Sequence, residues 1–356
     1  MEFIYELGLF TAQLVVVAAV IVVSLLLLAA ANKGRRGQEE GYIEVRSINE
    51  RYDAYVSAIR EITEDEHAAK ARAKREKQAA KADQKTAKKK AKALAKGEEG
   101  ADADNKPRIF VLTFEGDVNA SQADALREEI SALLPEATSN DKVLIRLESP
   151  GGVVHGYGLA ASQLQRIKDA GIELVVAVDK VAASGGYMMA CVGSKILAAP
   201  FAIIGSVGVV AQLPNFHRLL KKNDIDFETF TAGEFKRTVT VFGENTDKGR
   251  RKFESELEET HELFKSFVSA HRPDLDVGKI ATGEIWYGQQ AIDNGLIDEV
   301  MTSDSYLQAN SESSDLVEVR YRQKQKLAEK LGVGAENMVD RMVTRLWKRL
   351  NESKLP

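Results

Sequence analysis

An apolar run of 25 residues, from Leu7 to Ala31, contains no charged side chain. About 20 such residues are enough for a helix to cross a bilayer, so this run is long enough to span one. A cleavable secretion signal is a weaker interpretation, because Glu2 and Glu6 precede the run where such signals carry basic residues. We therefore expect residues 1–6 to form a short tail and residues 7–31 a transmembrane helix in contact with membrane lipid.

Charges around this run bear on its orientation. Lys33, Arg35 and Arg36 follow the run, whereas acidic residues precede it. Because cytoplasmic flanks of membrane helices are enriched in basic residues, this asymmetry predicts that the C-terminal bulk of the chain lies in the cytoplasm.

Two polar segments separate the run from the body of the chain. Residues 32–66 mix apolar and charged positions and are interpreted as a membrane-proximal segment with a helix. Residues 67–107 are a basic Ala/Lys-rich arm, with high helix propensity and no apolar face, followed by a linker. Such an arm attracts anionic lipid or nucleic acid, but we favour a solvated spacer and expect no nucleic-acid partner.

Beyond the linker, β-branched runs alternate with helical patterns. The predicted strands are 108–114, 142–148 and 173–179, and the predicted helices are 121–134, capped by Ser121, and 155–170. Continuous apolar strands that alternate with helices predict a covered, largely parallel sheet, which is an α/β fold. We assign this domain to residues 108–305 and a C-terminal extension to residues 306–356.

Two further apolar stretches need an interpretation. Residues 187–213 are broken by Lys195, Pro200 and glycines, so they predict short buried strands and a helix rather than a second span. Cys191, the only cysteine, lies there and is expected to be a buried thiol. Residues 338–350 have the pattern of a basic amphipathic helix, for which oligomer contact, membrane-surface docking and packing on its own domain all stay open.

Glycine-rich turns follow the second and third predicted strands. Pro150-Gly151-Gly152 allows another backbone or a substrate to approach closely. Ser184 precedes Gly185-Gly186 where the next helix is expected to begin, so a free amide and the helix dipole lie near its hydroxyl. Such a turn can present a nucleophile and stabilise an oxyanion, but a plain helix cap explains it equally well.

A serine nucleophile requires a base. A histidine base would be His155 or His217, with Asp224 or Asp226 as the acid. A lysine base requires a desolvated site or a cationic neighbour that lowers the pKa of the amine, and Lys236 is a candidate. Without further information, His217 and Lys236 are both more simply interpreted as surface residues. The five histidines lack metal-ligand spacing, so we expect no metal and no cofactor.

Six ordered motifs carry a resemblance that covers nearly the whole chain. They are RLESPGG (146–152), HGYGLAASQLQR (155–166), VDKVAASGGYMMA (178–190), APFAIIGSVGVVAQ (199–212), TAGEFKR (231–237) and TGEIWYGQQAIDNGLIDE (282–299). With them the chain resembles the signal peptide peptidase A / SohB family of membrane-bound serine peptidases, which have the Clp-protease/crotonase superfamily fold. The apolar run and the basic arm also fit that family.

The resemblance implies a role for each of five residues. Ser184 would be the nucleophile, Lys236 the general base, and Ser206 the group that orients the lysine amine. The amides of Gly152 and Gly185 would form the oxyanion hole. Since the chain holds one copy of the fold, the resemblance also suggests a ring-like homo-oligomer in which adjacent protomers share the Ser-Lys dyad, and a dyad within one chain stays open.

The implied function is that of a serine endopeptidase anchored in a bacterial inner membrane, which hydrolyses extended apolar or membrane-derived peptides through an acyl-enzyme. Glu148 stands where signal peptide peptidase A has Asn, so the substrate preference of that enzyme is not carried over. The resemblance favours an extracytoplasmic active site, against the charge bias. A crotonase-like acyl-thioester enzyme and a catalytically silent membrane scaffold are the alternatives.

Overall fold

A computed structural model of the protein describes residues 41–65, 67–75, 77–78, 81, 85 and 106–323. Ile43–Tyr321 form one compact unit, and of the second unit only residues 41, 42, 322 and 323 are described. The predicted transmembrane helix (7–31) and amphipathic helix (338–350) therefore lie outside the described residues. Among the helices that are described, none is long and apolar enough to cross a bilayer.

Strands and helices alternate over residues 108–178, as the sequence predicts. The strands are β1 (Tyr42–Ser47), β2 (Arg108–Glu115), β3 (Lys142–Glu148), β4 (Glu173–Val178), β5 (Val181–Ala183), β6 (Lys195–Ala198), β7 (Ile203–Gly205), β8 (Ile285–Tyr287), β9 (Glu299–Val300) and β10 (Asp315–Arg322). The helices are α1 (Ile48–Thr63), α2 (Ala123–Leu133), α3 (Val154–Asp169), α4 (Gly185–Ala190), α5 (His217–Lys222), α6 (Asp247–His271), α7 (Val277–Ile280), α8 (Gly288–Asp293) and α9 (Ser303–Asn310).

The main sheet has seven strands in the order β1-β10-β2-β3-β4-β6-β9. The pairs from β10 to β9 are parallel, which confirms the predicted α/β class. Successive side chains of a strand point to opposite faces, and here both faces are buried. On β2, Phe110 and Leu112 join a core with helices α2, α3 and α4. Ile109 and Val111 join a second core with α1 and α9.

A smaller sheet, β5-β7-β8, lies next to the end of β3. Ser149, the residue after β3, forms a parallel bridge with Ala182 of β5. The Ser149 amide donates to the Val181 carbonyl (2.8 Å), and the Ala183 amide donates to the Ser149 carbonyl (3.0 Å). The two glycine-rich turns that follow β3 and β5 are therefore held side by side.

The start of helix α2 differs from the sequence prediction. Helix α2 begins at Ala123, and Ser121 does not cap it, because the Ser121 hydroxyl donates to Asp117 Oδ2 instead (2.7 Å). Gln122 occupies the N-cap position and makes no side-chain capping bond. The short polar loop thus satisfies its own hydrogen bonds before the helix starts.

The 187–213 stretch is interrupted as predicted, because it contains most of α4 together with β6 and β7. Cys191 is fully buried, and burial raises the pKa of its thiol to about 12, so the thiol stays protonated. Residues 306–322, assigned from the sequence to the C-terminal extension, include most of α9 and all of β10. Strand β10 pairs with β2, so this part of the chain belongs to the main sheet.

Candidate active site

Ser184 lies between β5 and α4 in a backbone conformation that is rare for a residue with a side chain, with φ 52° and ψ −118°. Two backbone hydrogen bonds hold it there, from the Ser184 amide to the Gly205 carbonyl (2.8 Å) and from the Met188 amide to the Ser184 carbonyl (2.9 Å). The hydroxyl makes no capping bond to α4. The helix-cap interpretation is therefore wrong, and strain of this kind is typical of functional sites.

Ser206 is placed next to Ser184 by strand pairing. Ala183 and Gly205 are register partners on the parallel strands β5 and β7, and each serine follows one of these partners. Ser206 also has a positive φ of 54°, and its amide donates to the Glu284 carbonyl (2.6 Å). Both serines line one cavity, so the structure brings these two predicted residues together.

The turn at Gly151 and Gly152 packs directly against Ser184. A Cβ atom on Gly151 would lie 2.8 Å from the Ser184 Cβ and 2.7 Å from the Gly185 nitrogen. The Gly185 amide begins α4 and has no partner within that helix. In the described part of the chain, neither this amide nor that of Gly152 donates to a protein acceptor. Two such amides beside an unbonded hydroxyl are the components of an oxyanion hole.

The packing at Gly185 gives a stability prediction. A Cβ there would lie 2.6 Å from Cδ2 of the fully buried Tyr157, so Gly185→Ala is expected to destabilise the fold by about 1–3 kcal/mol. Gly158→Ala is the control, because its Cβ would meet nothing within 4 Å and alanine favours the helix by about 1 kcal/mol. Urea unfolding measures both free energies, and equal stability of the two variants would contradict the tight packing.

The cavity at Ser184 has a volume of about 1100 Å³ and a largely apolar lining. The apolar side chains in that lining include Val118, Val153, Val154, Met188, Val209, Val210, Leu263, Phe264 and Phe267. Among the described residues that line it, His261 alone is ionisable, and its Nε2 atom is buried without a hydrogen-bond partner. A lining of this kind favours apolar ligands.

His261 was missed in the sequence analysis. It lies on α6, one turn before the buried Phe264 and two turns before the buried Val268. That i, i+3, i+7 spacing is the signal that places His261 on the buried face of the helix. The two histidines considered from the sequence do not line the cavity, since His155 is exposed and His217 begins α5.

Lys236 is exposed and does not line the Ser184 cavity of its own chain. Its neighbours hold it at the start of α6, because Glu234 forms an ion pair with Lys248. The Phe235 ring lies 5.8 Å from the Lys248 Nζ and 5.9 Å from that of Lys252. The cavity meets α6 only from Thr260 onward, about 18 Å further along the helix axis.

Within one chain the structure thus assembles four of the five predicted site residues: Ser184, Ser206, Gly152 and Gly185. It does not bring Lys236 to them. Among the described residues, the strained Ser184 has no partner for its hydroxyl and lies with two amides that have no acceptor, which is the arrangement of a serine hydrolase.

Comparisons with known proteins narrow this class to a family. Residues 166–317 match the model of peptidase family S49, and residues 2–164 match that of the peptidase family S49 N-terminal region. The chain is 57% identical over 305 residues to "Probable protease SohB" of Haemophilus influenzae, covering 86% of this chain and 85% of the relative. It is 40% identical over 329 residues to "Putative protease SohB" of Buchnera aphidicola, covering 90% and 91%.

A more distant relative is "Protease 4" of Haemophilus influenzae, 27% identical over 221 residues, which are 60% of this chain and 35% of the relative. The chain belongs to peptidase family S49. It is therefore a serine-type peptidase of the SohB kind, and its substrates are peptides.

Proposed function

We propose that this peptidase is a membrane-anchored endopeptidase with Ser184 as nucleophile and Lys236 as general base. The observation that carries the proposal is the strained Ser184, whose hydroxyl has no hydrogen-bond partner among the described residues and lies near the Gly152 and Gly185 amides, which likewise have none there. Ser184 keeps a side chain in a conformation that favours glycine, and strain of this kind is typical of functional sites.

The proposed reaction runs through an acyl-enzyme. Neutral Lys236 takes the Ser184 proton as the serine oxygen bonds to the peptide carbonyl carbon, and the carbonyl oxygen becomes an oxyanion that accepts hydrogen bonds from Gly152 and Gly185. The C–N bond then breaks, and the lysine returns the proton to the leaving amine. Water activated by the same lysine hydrolyses the ester and regenerates the serine.

The lysine is proposed to come from a neighbouring protomer. Glu234 and Phe235 hold the Lys236 loop at the start of α6, about 18 Å along that helix from the first cavity-lining residue. Lys236 itself does not line the cavity of its own chain. A second copy of the chain supplies the missing base without unpacking the loop, and Ser206 is then available to orient the incoming amine.

Exposed apolar side chains support this assembly. The segment between β7 and α6, residues 208–246, is called the excursion here, and it contains Lys236. Its Val210 is 80% exposed and its Phe230 is 89% exposed. Monomeric proteins rarely expose large contiguous apolar patches, which usually mark interfaces. The excursion is therefore proposed as the contact between protomers of a ring-like homo-oligomer.

The membrane and substrate assignments are also proposals. Residues 7–31 are proposed to anchor the enzyme in a bacterial inner membrane, because they are free of charge and long enough to cross it. The apolar cavity at Ser184 supports substrates that are extended apolar or membrane-derived peptides. An anchored enzyme would meet such peptides at the bilayer where they arise.

The identity of the base is tested by comparing Lys236→Ala with His261→Asn. His261 is the rival candidate, because it is ionisable and lines the cavity. A general base contributes about 10²–10⁴-fold, so Lys236→Ala is expected to slow labelling by a fluorophosphonate by about 10³-fold. His261→Asn is expected to slow labelling by less than about tenfold, because this substitution changes the lining of the cavity but does not remove the general base. Labelling rates are measured on intact oligomer in mild detergent.

Lys279→Ala is the matched control, because Lys279 is an exposed lysine outside the excursion. It is expected to label at the wild-type rate. A large loss in His261→Asn with little loss in Lys236→Ala would assign the base to His261 and reject the Ser-Lys dyad.

A further inference from the structure

We propose that Ser149 and Tyr157 are positioning residues that hold the oxyanion turn in place through a directed chain of hydrogen bonds. This inference rests on the proposed nucleophile, Ser184. Neither residue lines the cavity, so both act through the backbone of the turn that carries Gly152.

The chain of hydrogen bonds joins four groups. The Gly151 amide lies 3.0 Å from the Ser149 Oγ, which lies 2.5 Å from the Tyr157 Oη. The Tyr157 Oη lies 2.7 Å from the Asp117 carbonyl oxygen. Ser149 and Tyr157 are both fully buried, so the bond between their hydroxyls is shielded from water.

The direction of each hydrogen bond in this series follows from the acceptor next to it. A carbonyl only accepts, so the single Tyr157 proton is donated to Asp117. Burial raises the pKa of Tyr157, which keeps that proton in place. The Ser149 hydroxyl must then donate to Tyr157, and its oxygen accepts the Gly151 amide. One tyrosine hydroxyl thus determines which way the serine hydroxyl points.

The consequence for the turn is that one amide alone is left free. Pro150 has no amide hydrogen, and the Gly151 amide is taken by Ser149. The Val153 amide donates to the Val118 carbonyl (2.8 Å). The Gly152 amide between them has no acceptor in the described part of the chain and is available to an oxyanion.

Close packing keeps the hydrogen-bonded groups of Ser149 and Tyr157 from moving. A Cβ on Gly116 would lie 2.5 Å from the Ser149 Oγ, and a Cβ on Gly186 would lie 2.5 Å from the Ser149 carbonyl oxygen. The Tyr157 ring fills the space beside Gly185, the other oxyanion donor. Without the Tyr157 hydroxyl, the Ser149 hydroxyl can rotate, and the Pro150–Gly151 peptide, whose N–H it accepts, loses its fixed orientation. The Gly152 amide in the next peptide is then no longer held in place.

The test compares Tyr157→Phe, Ser149→Ala and the double variant in the intact membrane enzyme. The probe is an internally quenched apolar peptide, with a peptide aldehyde as inhibitor. A lost oxyanion donor lowers kcat by about 10²–10³-fold, so a misplaced one is expected to lower kcat by about 10–100-fold in each single variant. KM is expected to stay within about threefold, because ground-state binding does not use the oxyanion hole. The aldehyde is expected to bind more weakly by the same factor as the loss in kcat.

Two comparisons distinguish a positioning role from a non-specific structural effect of the substitutions. The double variant is expected to be no slower than the slower single variant, because the two residues act through one chain. Tyr187→Phe is the matched control, since Tyr187 is also fully buried and donates its hydroxyl to a carbonyl, that of Leu296 (3.0 Å). It removes an equivalent hydrogen bond and is expected to keep the wild-type kcat.

The outcomes distinguish this inference from the proposed function. Labelling that persists in Ser184→Ala would reject the nucleophile and this inference with it. Ser184-dependent labelling with unchanged kcat in Ser149→Ala and Tyr157→Phe would reject the positioning role alone. An equal loss in Tyr187→Phe would also reject it. Thermal unfolding shows whether either single variant fails to fold. If one does, the kcat of the other single variant tests the positioning role.

Discussion

Ser184→Ala is expected to abolish covalent labelling by a fluorophosphonate and to lower kcat/KM for peptide hydrolysis by at least about 10³-fold. The substitution removes the hydroxyl and little else, because that hydroxyl makes no capping bond and the strained backbone is held by the Gly205 and Met188 hydrogen bonds. The folded structure should therefore survive. Labelling is measured by mass spectrometry of intact protein, with unfolding monitored in parallel.

Ser255→Ala serves as the control for this experiment. Ser255 is an exposed serine of α6 whose hydroxyl donates to Glu259 (3.0 Å). It should label and hydrolyse like the wild type. Full labelling of Ser184→Ala would place the nucleophile elsewhere. Activity on acyl thioesters that does not depend on Ser184 would favour the crotonase-like alternative, and a cellular effect kept by Ser184→Ala would favour the scaffold.

The fold was largely predictable because its central strands are buried on both faces. Such strands need continuous β-branched runs, and β3 begins and ends where the run 142–148 does. Strand β10 was not predicted in the sheet, because its pairing with β2 joins residues far apart in the sequence. The local sequence pattern of a strand does not indicate which distant strand it pairs with.

The candidate site was predictable in part. The resemblance implied that Gly152 and Ser184 belong to one site, and the bridge between Ser149 and Ala182 holds their two turns side by side. The positive φ of Ser184 was not predictable, because serine is rare in that conformation and only the surrounding hydrogen bonds impose it. Ser206 is adjacent to Ser184 only through the register of β5 and β7.

The position of Lys236 shows what the sequence leaves out. The resemblance names this lysine but does not say which chain its amine serves. The answer depends on long-range contacts, namely the ion pair of Glu234 with Lys248 and the packing of Phe235 against the same lysine. These contacts place the loop at the start of α6, and Lys236 does not line the cavity of its own chain, so a dyad shared between protomers can be tested directly.

Mixed oligomers of Ser184→Ala and Lys236→Ala chains are expected to regain activity that neither variant has alone. In a head-to-tail ring each site combines the serine of one protomer with the lysine of the next, so about one quarter of the sites in a random equal mixture hold both groups. The two chains are co-expressed with different tags and purified through both tags in mild detergent. Fluorophosphonate labelling and peptide hydrolysis are then measured.

The labelled chain provides the decisive reading, because the only Ser184 in the mixture belongs to the chain that lacks Lys236. Label on that chain requires a base from its neighbour. Oligomers of Ser184→Ala with the double variant Ser184→Ala/Lys236→Ala are the control and should stay unlabelled. Doubly tagged oligomers without activity would instead place the dyad within one chain. In that case the loop around Lys236 would have to leave Lys248 and cross to the cavity of its own chain. Lys248→Ala, which removes a contact of that loop, would then raise activity above the wild-type level.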